Sequence, residues 1–182
     1  MTESAYVIET DRIGLRLFHE RDATALARIF DDPYAARFYP TMSDPLAAAS
    51  WIAKNRGRYE TDGVGLWAAC LKATGELVGD CGLILQTVET RREVEVAYHL
   101  RADYRGQGLA TEAARACLDY GFAQRGSPRV VSMVHPDNEA SKRVAQRLHT
   151  RSRRFHRLGE RYHLFYTERH DWPGLRAQPH AR

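Results

Sequence analysis

A short glycine-containing segment of the chain has the residue types of an anion-binding loop between a strand and a helix. Glycine lets the main chain approach a ligand closely, and the first amides of a helix have no partner within that helix. With the helix dipole and an arginine charge beside it, such a loop could bind a pyrophosphate. A plain glycine-rich turn would explain the local pattern equally well. The residues of this loop are Arg105, Gly106, Gln107, Gly108, Leu109 and Ala110.

Two other nucleotide-binding patterns do not fit this loop. A dinucleotide-binding G-x-G-x-x-G motif needs glycine where Thr111 stands, and the residues before the loop lack the pattern of a parallel sheet. The chain also contains no phosphate-binding G-x-x-x-x-G-K-S/T motif. If the loop binds an anion, it does so in a fold of another class.

Periodic patterns of apolar residues predict the elements that position the loop. The chain starts with a strand and two helices, continues with an antiparallel meander, and then forms a strand–helix–strand crossover, which should be parallel. A helix and a hairpin follow, so the order predicts a mixed α/β domain. The predicted strands are residues 13–18, 65–72, 77–85, 93–100 and 129–134, the helices are residues 21–32, 45–62, 109–124 and 137–148, and the hairpin covers residues 155–168.

The composition excludes several classes of protein. The 182 residues are 43% hydrophobic and 27% charged, with a net charge of +4, which is typical of a globular domain and not of a disordered chain. We find no apolar run long enough for a membrane span and no secretory signal, so we expect a cytoplasmic protein. The three cysteines and eight histidines lack metal-binding spacings; we therefore expect buried thiols and no metal site.

The loop and two other segments resemble the acetyl-CoA-binding core of the GNAT superfamily of N-acetyltransferases. The family signature Q/R-x-x-G-x-G/A is matched by Arg105, Gly108 and Ala110, and the segment Pro136–Ser141 resembles the P-x-N-x-x-S helix of the family. The opening segment Glu9–Leu17 is similar to the first strand of the branch that acetylates the N-termini of ribosomal proteins, the ribosomal-protein-alanine N-acetyltransferases.

This resemblance implies a fold and a domain organisation. It covers about residues 8–170, which we expect to form one GNAT domain, followed by a short C-terminal tail of residues 171–182. The expected fold is α/β, with a mixed, mostly antiparallel sheet of about seven strands. The parallel strand–helix–strand crossover would lie at the acetyl-CoA site.

The resemblance also implies a reaction, the transfer of an acetyl group from acetyl-CoA to a primary amine by direct attack in a ternary complex. The acceptor would be a protein N-terminus or a small-molecule amine. The reaction needs a neutral amine, a hydrogen-bond donor for the oxyanion, and a proton or hydrogen bond for the leaving thiolate. Backbone amides of the strand that ends at Leu100 would serve the oxyanion, Ser141 the thiolate, and Glu95 would be the catalytic base. Asn138 would contact the pantetheine arm, and Arg143 would meet a further CoA phosphate.

Three of these roles have an alternative. Glu95 could form, with Glu93, an exposed pair in salt bridges with Arg91 or Arg92, and water could deprotonate the amine. Ser141 could bond back to the carbonyl of residue 137. Asn138 could be an ordinary helix cap, a role compatible with cofactor contact.

Three hypotheses about the function of the chain stay open. Besides the acetyltransferase, the chain could be a catalytically inactive acyl-CoA-binding module of the same fold, or a nucleic-acid-binding protein that uses its arginine-rich C-terminal part. The last reading lacks a recognised motif and interleaved aromatic residues. We expect a monomer or homodimer. One departure from the family pattern comes at Leu148-His149-Thr150, where the family usually has Leu-Gly-Phe or Leu-Gly-Met. Histidine thus stands in place of the helix-capping glycine, and the chain continues into the basic segment Arg151–Arg157.

Overall fold

Short runs rich in β-branched and apolar residues form most of the strands, and longer amphipathic segments form most of the helices. The computed structural model describes residues 6–157 and 159–172. Its strands are β1 (Ile8–Glu9), β2 (Ile13–Arg16), β3 (Leu66–Leu71), β4 (Leu77–Val88), β5 (Arg91–Leu100), β6 (Arg129–Val134), β7 (Arg151–Arg157) and β8 (Glu160–Glu168). Its helices are α1 (Ala23–Ile29), α2 (Pro33–Ala36), α3 (Pro45–Thr61), α4 (Leu109–Ala123) and α5 (Glu139–Leu148), with single 3-10 turns at Glu20–Asp22, Ala102–Tyr104 and Arg169–Asp171.

The strands follow one another in the order β1-β2-β3-β4-β5-β6-β8-β7. β5 and β6 run parallel, in a register that pairs Val94 with Val130 and Glu95 with Val131. The other described pairings, β1 with β2, β2 with β3, β3 with β4, β6 with β8 and β7 with β8, are antiparallel. The predicted mixed, mostly antiparallel α/β fold with one parallel crossover is therefore confirmed. Eight strands are described, instead of about seven, because Ile8–Glu9 also pairs as a short strand.

The predicted helix over residues 21–32 is wrong in its extent. Asp32 has extended backbone angles, and its carboxylate accepts hydrogen bonds from the amides of Tyr34 and Ala35. It therefore caps a new helix, α2, in which Pro33 takes the first position, where its missing amide costs no hydrogen bond. The next helix, α3, begins as predicted, with Asp44 as its cap and Pro45 at its first position.

The chain divides into two compact units. The first runs up to Ile84 and includes Ala97–Cys117, and the second consists of Leu85–Val96 and the chain from Leu118 onward. The first unit has a large apolar core, whose buried residues include Phe18, Leu26, Ile29, Phe30, Ile52, Leu66 and Ile84. The second unit has two smaller clusters, one of Val88, Val131, Phe155 and Leu164 and one of Val134, Ala145 and Phe165.

At the end of α5, where the sequence departs from the family pattern, a buried histidine takes the place of the expected glycine. His149 leaves the helix in an extended conformation, with φ −105° and ψ 155°, so this helix end needs no left-handed glycine. The imidazole lies within hydrogen-bond distance of Thr167 and Ser132. The final hairpin forms, and it is longer than predicted because β7 begins at Arg151. Leu158, which the sequence predicts to lie in the turn, is outside the described part of the chain.

Three further expectations concern the thiols, the membrane and the tail. Cys70, Cys81 and Cys117 are buried free thiols, as predicted. Among the helices of the described residues, none combines the length and apolar character needed to cross a bilayer. Of the predicted tail, Asp171 ends a 3-10 turn and Trp172 donates a hydrogen bond to Asp119 at 2.6 Å; residues 173–182 lie outside the described part.

Candidate active site

The predicted anion-binding loop lies in the first unit, between the 3-10 turn Ala102–Tyr104 and helix α4. Gly106 and Gly108 have φ of 78° and 81°, a conformation that side chains with a Cβ rarely adopt. The carbonyl of Gly108 accepts the first hydrogen bond of the helix, from the amide of Glu112 at 3.0 Å. Leu109 is buried and anchors the start of α4. The two left-handed glycines thus turn the chain into a helix N-terminus, the local geometry of an anion site.

Arg105 is paired with a carboxylate that sequence reasoning did not foresee. Its Nη1 and Nη2 atoms donate to Asp32 at 3.1 and 2.7 Å, and its Nε donates to the carbonyl of Leu100 at 3.1 Å. The hydrogen bond from Arg105 lowers the pKa of Asp32 below its usual value, against the effect of burial. Arg105 therefore fixes the loop to the end of β5 and to the start of α2. Sequence separation concealed this pair, since the partners lie 73 residues apart.

A second carboxylate holds the first turn of α4 from the side. Glu112 accepts hydrogen bonds from the hydroxyl of Thr10 at 2.6 Å, from the amide of Arg12 at 2.9 Å and from the Arg12 guanidinium at 2.7 Å. Burial acts to raise the pKa of Glu112, but the hydrogen bonds from Thr10 and Arg12 outweigh it, and the pKa lies below the usual value. Arg12 also donates to the carbonyl of Gln107 at 3.1 Å. The negative charge stabilises the helix dipole and ties the loop to the first strands.

The end of β5 is tightly packed against β4. The amide of Arg101, directly after Leu100, donates to the carbonyl of Val78 at 2.9 Å. At Gly79 no Cβ would fit, because the carbonyl of His99 occupies its place. The segment that leads into the loop is therefore held by main-chain contacts that only glycine at position 79 permits.

Sequence reasoning missed a buried polar group at this strand end. Asp80, on β4, is fully buried, and its Oδ1 lies 2.5 Å from Nδ1 of His99 on β5. Its Oδ2 accepts a hydrogen bond from the indole of Trp51, on α3, at 3.0 Å. An isolated buried carboxylate is strongly unfavourable, so these two partners account for its burial. The available signal was a single aspartate within the apolar run of β4.

In the second unit, Asn138 and Ser141 lie together at the start of α5. The Oδ1 atom of Asn138 accepts a hydrogen bond from the amide of Ser141 at 3.1 Å, so Asn138 is a helix cap. Asn138 is buried, Ser141 is half-buried and Arg143 is exposed on the same helix. The predicted cap is thus present, and it fixes the backbone that carries Ser141.

Glu93 and Glu95 are both buried, so the alternative of an exposed pair is wrong. Glu93 accepts a hydrogen bond from Nε of Arg129 at 3.2 Å and lies 3.5 Å from Nε of Arg91. Glu95 accepts a hydrogen bond from the amide of Met133, on the neighbouring strand β6, at 3.1 Å. Glu93 therefore lies beside two arginines, and Glu95 binds a backbone amide of the neighbouring strand.

The basic segment of unassigned role forms the strand β7. Two of its arginines are in ion pairs with acidic residues of the same unit, Arg151 with Asp171 at 3.0 Å and Arg153 with Glu89 at 2.8 Å. Phe155 is buried in the apolar cluster of that unit. The positive charges of Arg151 and Arg153 are therefore paired with acidic residues of the same unit.

The predicted site residues are distributed over both units. The first unit contains Leu100 and the loop Arg105–Ala110, joined by the bond from Arg105 to Leu100. The second unit contains Glu95 on β5 and the group of Asn138, Ser141 and Arg143 on α5. In the second unit, Asn138 accepts a hydrogen bond from the amide of Ser141, and Glu95 accepts one from the amide of Met133.

Sequence comparisons find similar proteins over most of the chain. The acetyltransferase (GNAT) domain family matches residues 12–151. An uncharacterized protein of Bacillus subtilis, YkkB, is 39% identical over 140 residues, which are 76% of this chain and 81% of that protein. The uncharacterized N-acetyltransferase YoaA of the same organism is 30% identical over 140 residues, 76% of this chain and 78% of its own.

Solved structures share the fold at lower identity. An acetyltransferase from Agrobacterium tumefaciens superposes with a TM-score of 0.76 at 22% identity, covering 92% of this chain and 97% of the other. RimL, described as a ribosomal L7/L12 alpha-N-protein acetyltransferase in complex with coenzyme A, superposes with a TM-score of 0.70 at 16% identity, covering 87% and 95%. The match to the family and the identity to its members lead to one conclusion: the chain belongs to the GNAT acetyltransferases and is an acyltransferase of that family.

Proposed function

We propose that the chain transfers an acetyl group from acetyl-CoA to a primary amine, by direct attack of the amine in a ternary complex. The observation that carries this proposal is the loop before α4, in which Gly106 and Gly108 take left-handed conformations and lead the chain into a helix N-terminus. In this role the backbone amides of Gly106–Ala110 bind the pyrophosphate of CoA. Arg105, whose charge is paired with Asp32, holds the loop in place more than it adds free charge.

The other predicted residues take roles in the transfer itself. The backbone at the end of β5, near Leu100, supplies the donor for the oxyanion, and Asn138 and Arg143 bind the pantetheine arm and a CoA phosphate. Ser141 donates a hydrogen bond to the leaving thiolate, from a helix turn that the Asn138 cap keeps fixed. A fixed donor acts without reorganisation cost, which is why such preorganisation favours the transition state.

Glu95 is our candidate for the catalytic base. Its carboxylate is buried and is oriented by the hydrogen bond that Oε1 accepts from the Met133 amide. In the reaction the amine nitrogen bonds to the thioester carbon, Glu95 takes the proton that the new C–N bond makes acidic, and the C–S bond breaks. The thiolate then leaves as CoA with a proton from Ser141, which regains one from the site.

The acceptor is either a protein N-terminal amine or a small-molecule amine. RimL, a neighbour in fold, is described as an alpha-N-protein acetyltransferase, which supports the first class and the ribosomal-protein branch. The opening segment Glu9–Leu17, similar to that branch in sequence, supports the same choice.

An amine panel tests this function. Acetyl-CoA is mixed with the protein and with peptides starting with alanine or serine, a polyamine, amino acids or an aminoglycoside, and released CoA is detected by a thiol reagent. We expect release with one acceptor class and none without an amine. Thermal stabilisation by acetyl-CoA without release would instead identify an inactive binding module. If acetyl-CoA does not stabilise the protein and no CoA is released with any amine, both functions are contradicted.

A further inference from the structure

We propose that His99 removes the first proton from the ammonium group of the acceptor substrate, which converts it to a neutral amine. Asp80 orients the imidazole for this step. The inference rests on the proposed function and adds to it a residue outside the family signature. Amines are protonated at neutral pH, and only the neutral form attacks a thioester. A site that acts on an amine at pH 7 therefore benefits from a second proton acceptor besides Glu95.

The hydrogen bonds around Asp80 fix the state of the imidazole. Oδ2 of Asp80 accepts from Trp51, and Oδ1 lies 2.5 Å from Nδ1 of His99. A carboxylate that accepts this bond keeps the proton on Nδ1, so the lone pair of a neutral His99 lies on Nε2. This is the arrangement in which a carboxylate prepares a histidine for proton uptake at its other nitrogen.

The second nitrogen of His99 is available for a further hydrogen bond. Within residues 6–157 and 159–172, no hydrogen-bond partner of Nε2 is present, and no buried polar side-chain atom of these residues lacks a partner. Nε2 is therefore reached by solvent, in a side chain that is only 11% exposed. His149 gives the contrast, since both of its nitrogens lie within hydrogen-bond distance of a hydroxyl. One histidine is built into a core, and the other keeps a free lone pair.

The surroundings of His99 place it beside the proposed cofactor loop. The rings of Phe30 and Tyr39 lie 5.2 and 4.7 Å from the imidazole, and between these two residues in sequence lies Asp32. Asp32 bonds Arg105, the first residue of the loop, which in turn bonds Leu100, the neighbour of His99. All these groups belong to the first unit, so a continuous series of contacts links His99 to the loop.

Few groups around His99 can titrate. Of the described residues in ring or hydrogen-bond contact with it, Asp80 carries a charge and Tyr39 a phenol, whereas Phe30 and Trp51 carry neither. Among these described contacts of His99, Asp80 is thus the one charged group.

His99 and Glu95 each accept a different proton of the amine substrate. The ammonium group gives one proton to Nε2 of His99, which passes it to solvent. The neutral amine then attacks, forming the C–N bond, and its second proton goes to Glu95 as described above. The sum is one ammonium ion and acetyl-CoA converted to an amide, CoA and one proton in solution.

The variant His99→Asn tests the step, because the asparagine amide can still donate to Asp80 while Nε2 is removed. With the amine that the panel identifies, we expect kcat/KM at pH 7 to fall about 100-fold and the dissociation constant of acetyl-CoA to stay unchanged. The defect should shrink to within about 5-fold at pH 9.5, where much of the amine is already neutral. His156→Asn, an exposed histidine of β7, is the matched control and should match the wild type.

A structural role for His99 makes different predictions. It would give a loss of stability and of rate that does not depend on pH, and imidazole in solution would not restore it. We expect imidazole to restore part of the rate of His99→Gly at pH 7, and not that of Asp80→Asn. A wild-type rate in His99→Asn, or a defect equal at pH 7 and pH 9.5, overturns the inference and leaves the acetyltransferase function standing. A wild-type protein that releases no CoA with any amine overturns both.

Discussion

The carboxylate of Glu95 accepts a hydrogen bond from the backbone amide of Met133 at 3.1 Å. In a regular parallel ladder, such an amide donates to a carbonyl of the neighbouring strand. Here a side chain of β5 takes the place of that carbonyl. Nearby, the hydroxyl of Ser132 donates to the carbonyl of Val96 at 2.8 Å. Side chains thus replace main-chain bonds between β5 and β6, where we place the chemistry of the transfer.

Glu95→Gln tests the role of this carboxylate. The glutamine carbonyl can still accept the Met133 amide, so the fold should persist, but the proton acceptor is lost. We expect CoA release to fall about 100-fold at every pH tested, with the affinity for acetyl-CoA unchanged. Glu93→Gln, on the same strand face, is the control: it removes the negative charge that pairs with Arg129. It should lower the unfolding free energy by about 1–3 kcal/mol and leave turnover close to that of the wild type. Equal turnover in Glu95→Gln and the wild type would refute the assignment.

Ser141→Ala tests the donor to the thiolate. The cap from Asn138 binds the backbone amide of position 141 and survives the change. We expect turnover to fall about 10-fold or more, since a hydrogen bond to a developing charge contributes about 1.5–3 kcal/mol, while acetyl-CoA binding by calorimetry stays within about 2-fold. The control is Ser50→Ala, whose hydroxyl bonds back to the carbonyl of Leu46 on an exposed helix face. If Ser141 only bonds back to its own helix, both variants will turn over like the wild type.

Gly106→Ala and Gly75→Ala form a matched pair for the loop. Both glycines have positive φ, 78° and 71°, and neither has an atom within 4 Å of the position of a Cβ. Each substitution should therefore lower the unfolding free energy by a similar amount, about 1–2 kcal/mol. Only Gly106→Ala should also weaken acetyl-CoA binding, measured by calorimetry, because it disturbs the amides that we assign to the pyrophosphate. Loss of affinity in both variants, or in neither, speaks against that assignment.

His149 should make the protein lose stability as the pH falls. Burial lowers its pKa to about 3, whereas in the unfolded chain it stays near 6.5. Below about pH 6.5 the unfolded chain takes up a proton that the folded chain does not, so the unfolding free energy declines as the pH falls towards 3. Between pH 7 and pH 5 we expect a loss of about 2 kcal/mol from this residue, measured by urea denaturation.

His149→Gln removes this titration and serves as the comparison. It should be less stable than the wild type at pH 7, because the packing of the imidazole is lost, but its stability should change less between pH 7 and pH 5. A residual slope is expected from His163, whose pKa is also lowered by burial and by nearby cations. Parallel pH dependences of the two proteins would show that His149 is not the titrating group.

Much of the architecture was determined by local sequence. β6 and the start of α3 match their predicted positions, because apolar periodicity and the Asp44-Pro45 cap act within a few residues. The glycines at 106 and 108 indicated left-handed turns for the same reason, since the preference belongs to the residue itself. The helix predicted over residues 21–32 was too long because Asp32 caps a new helix, and a capping bond is a choice between two local structures that the pattern of apolar residues does not reveal.

The tertiary structure decided which partners the charged and polar groups have. Arg105 meets Asp32 across 73 residues, and Asp80 meets both Trp51 and His99. Sequence spacing carries no signal for such contacts, because they depend on which strands and helices become neighbours. Burial then makes them decisive, since a buried carboxylate requires a partner whatever its distance along the chain. The sequence alone thus determined the family and the loop, and the fold alone placed a histidine with a free nitrogen beside it.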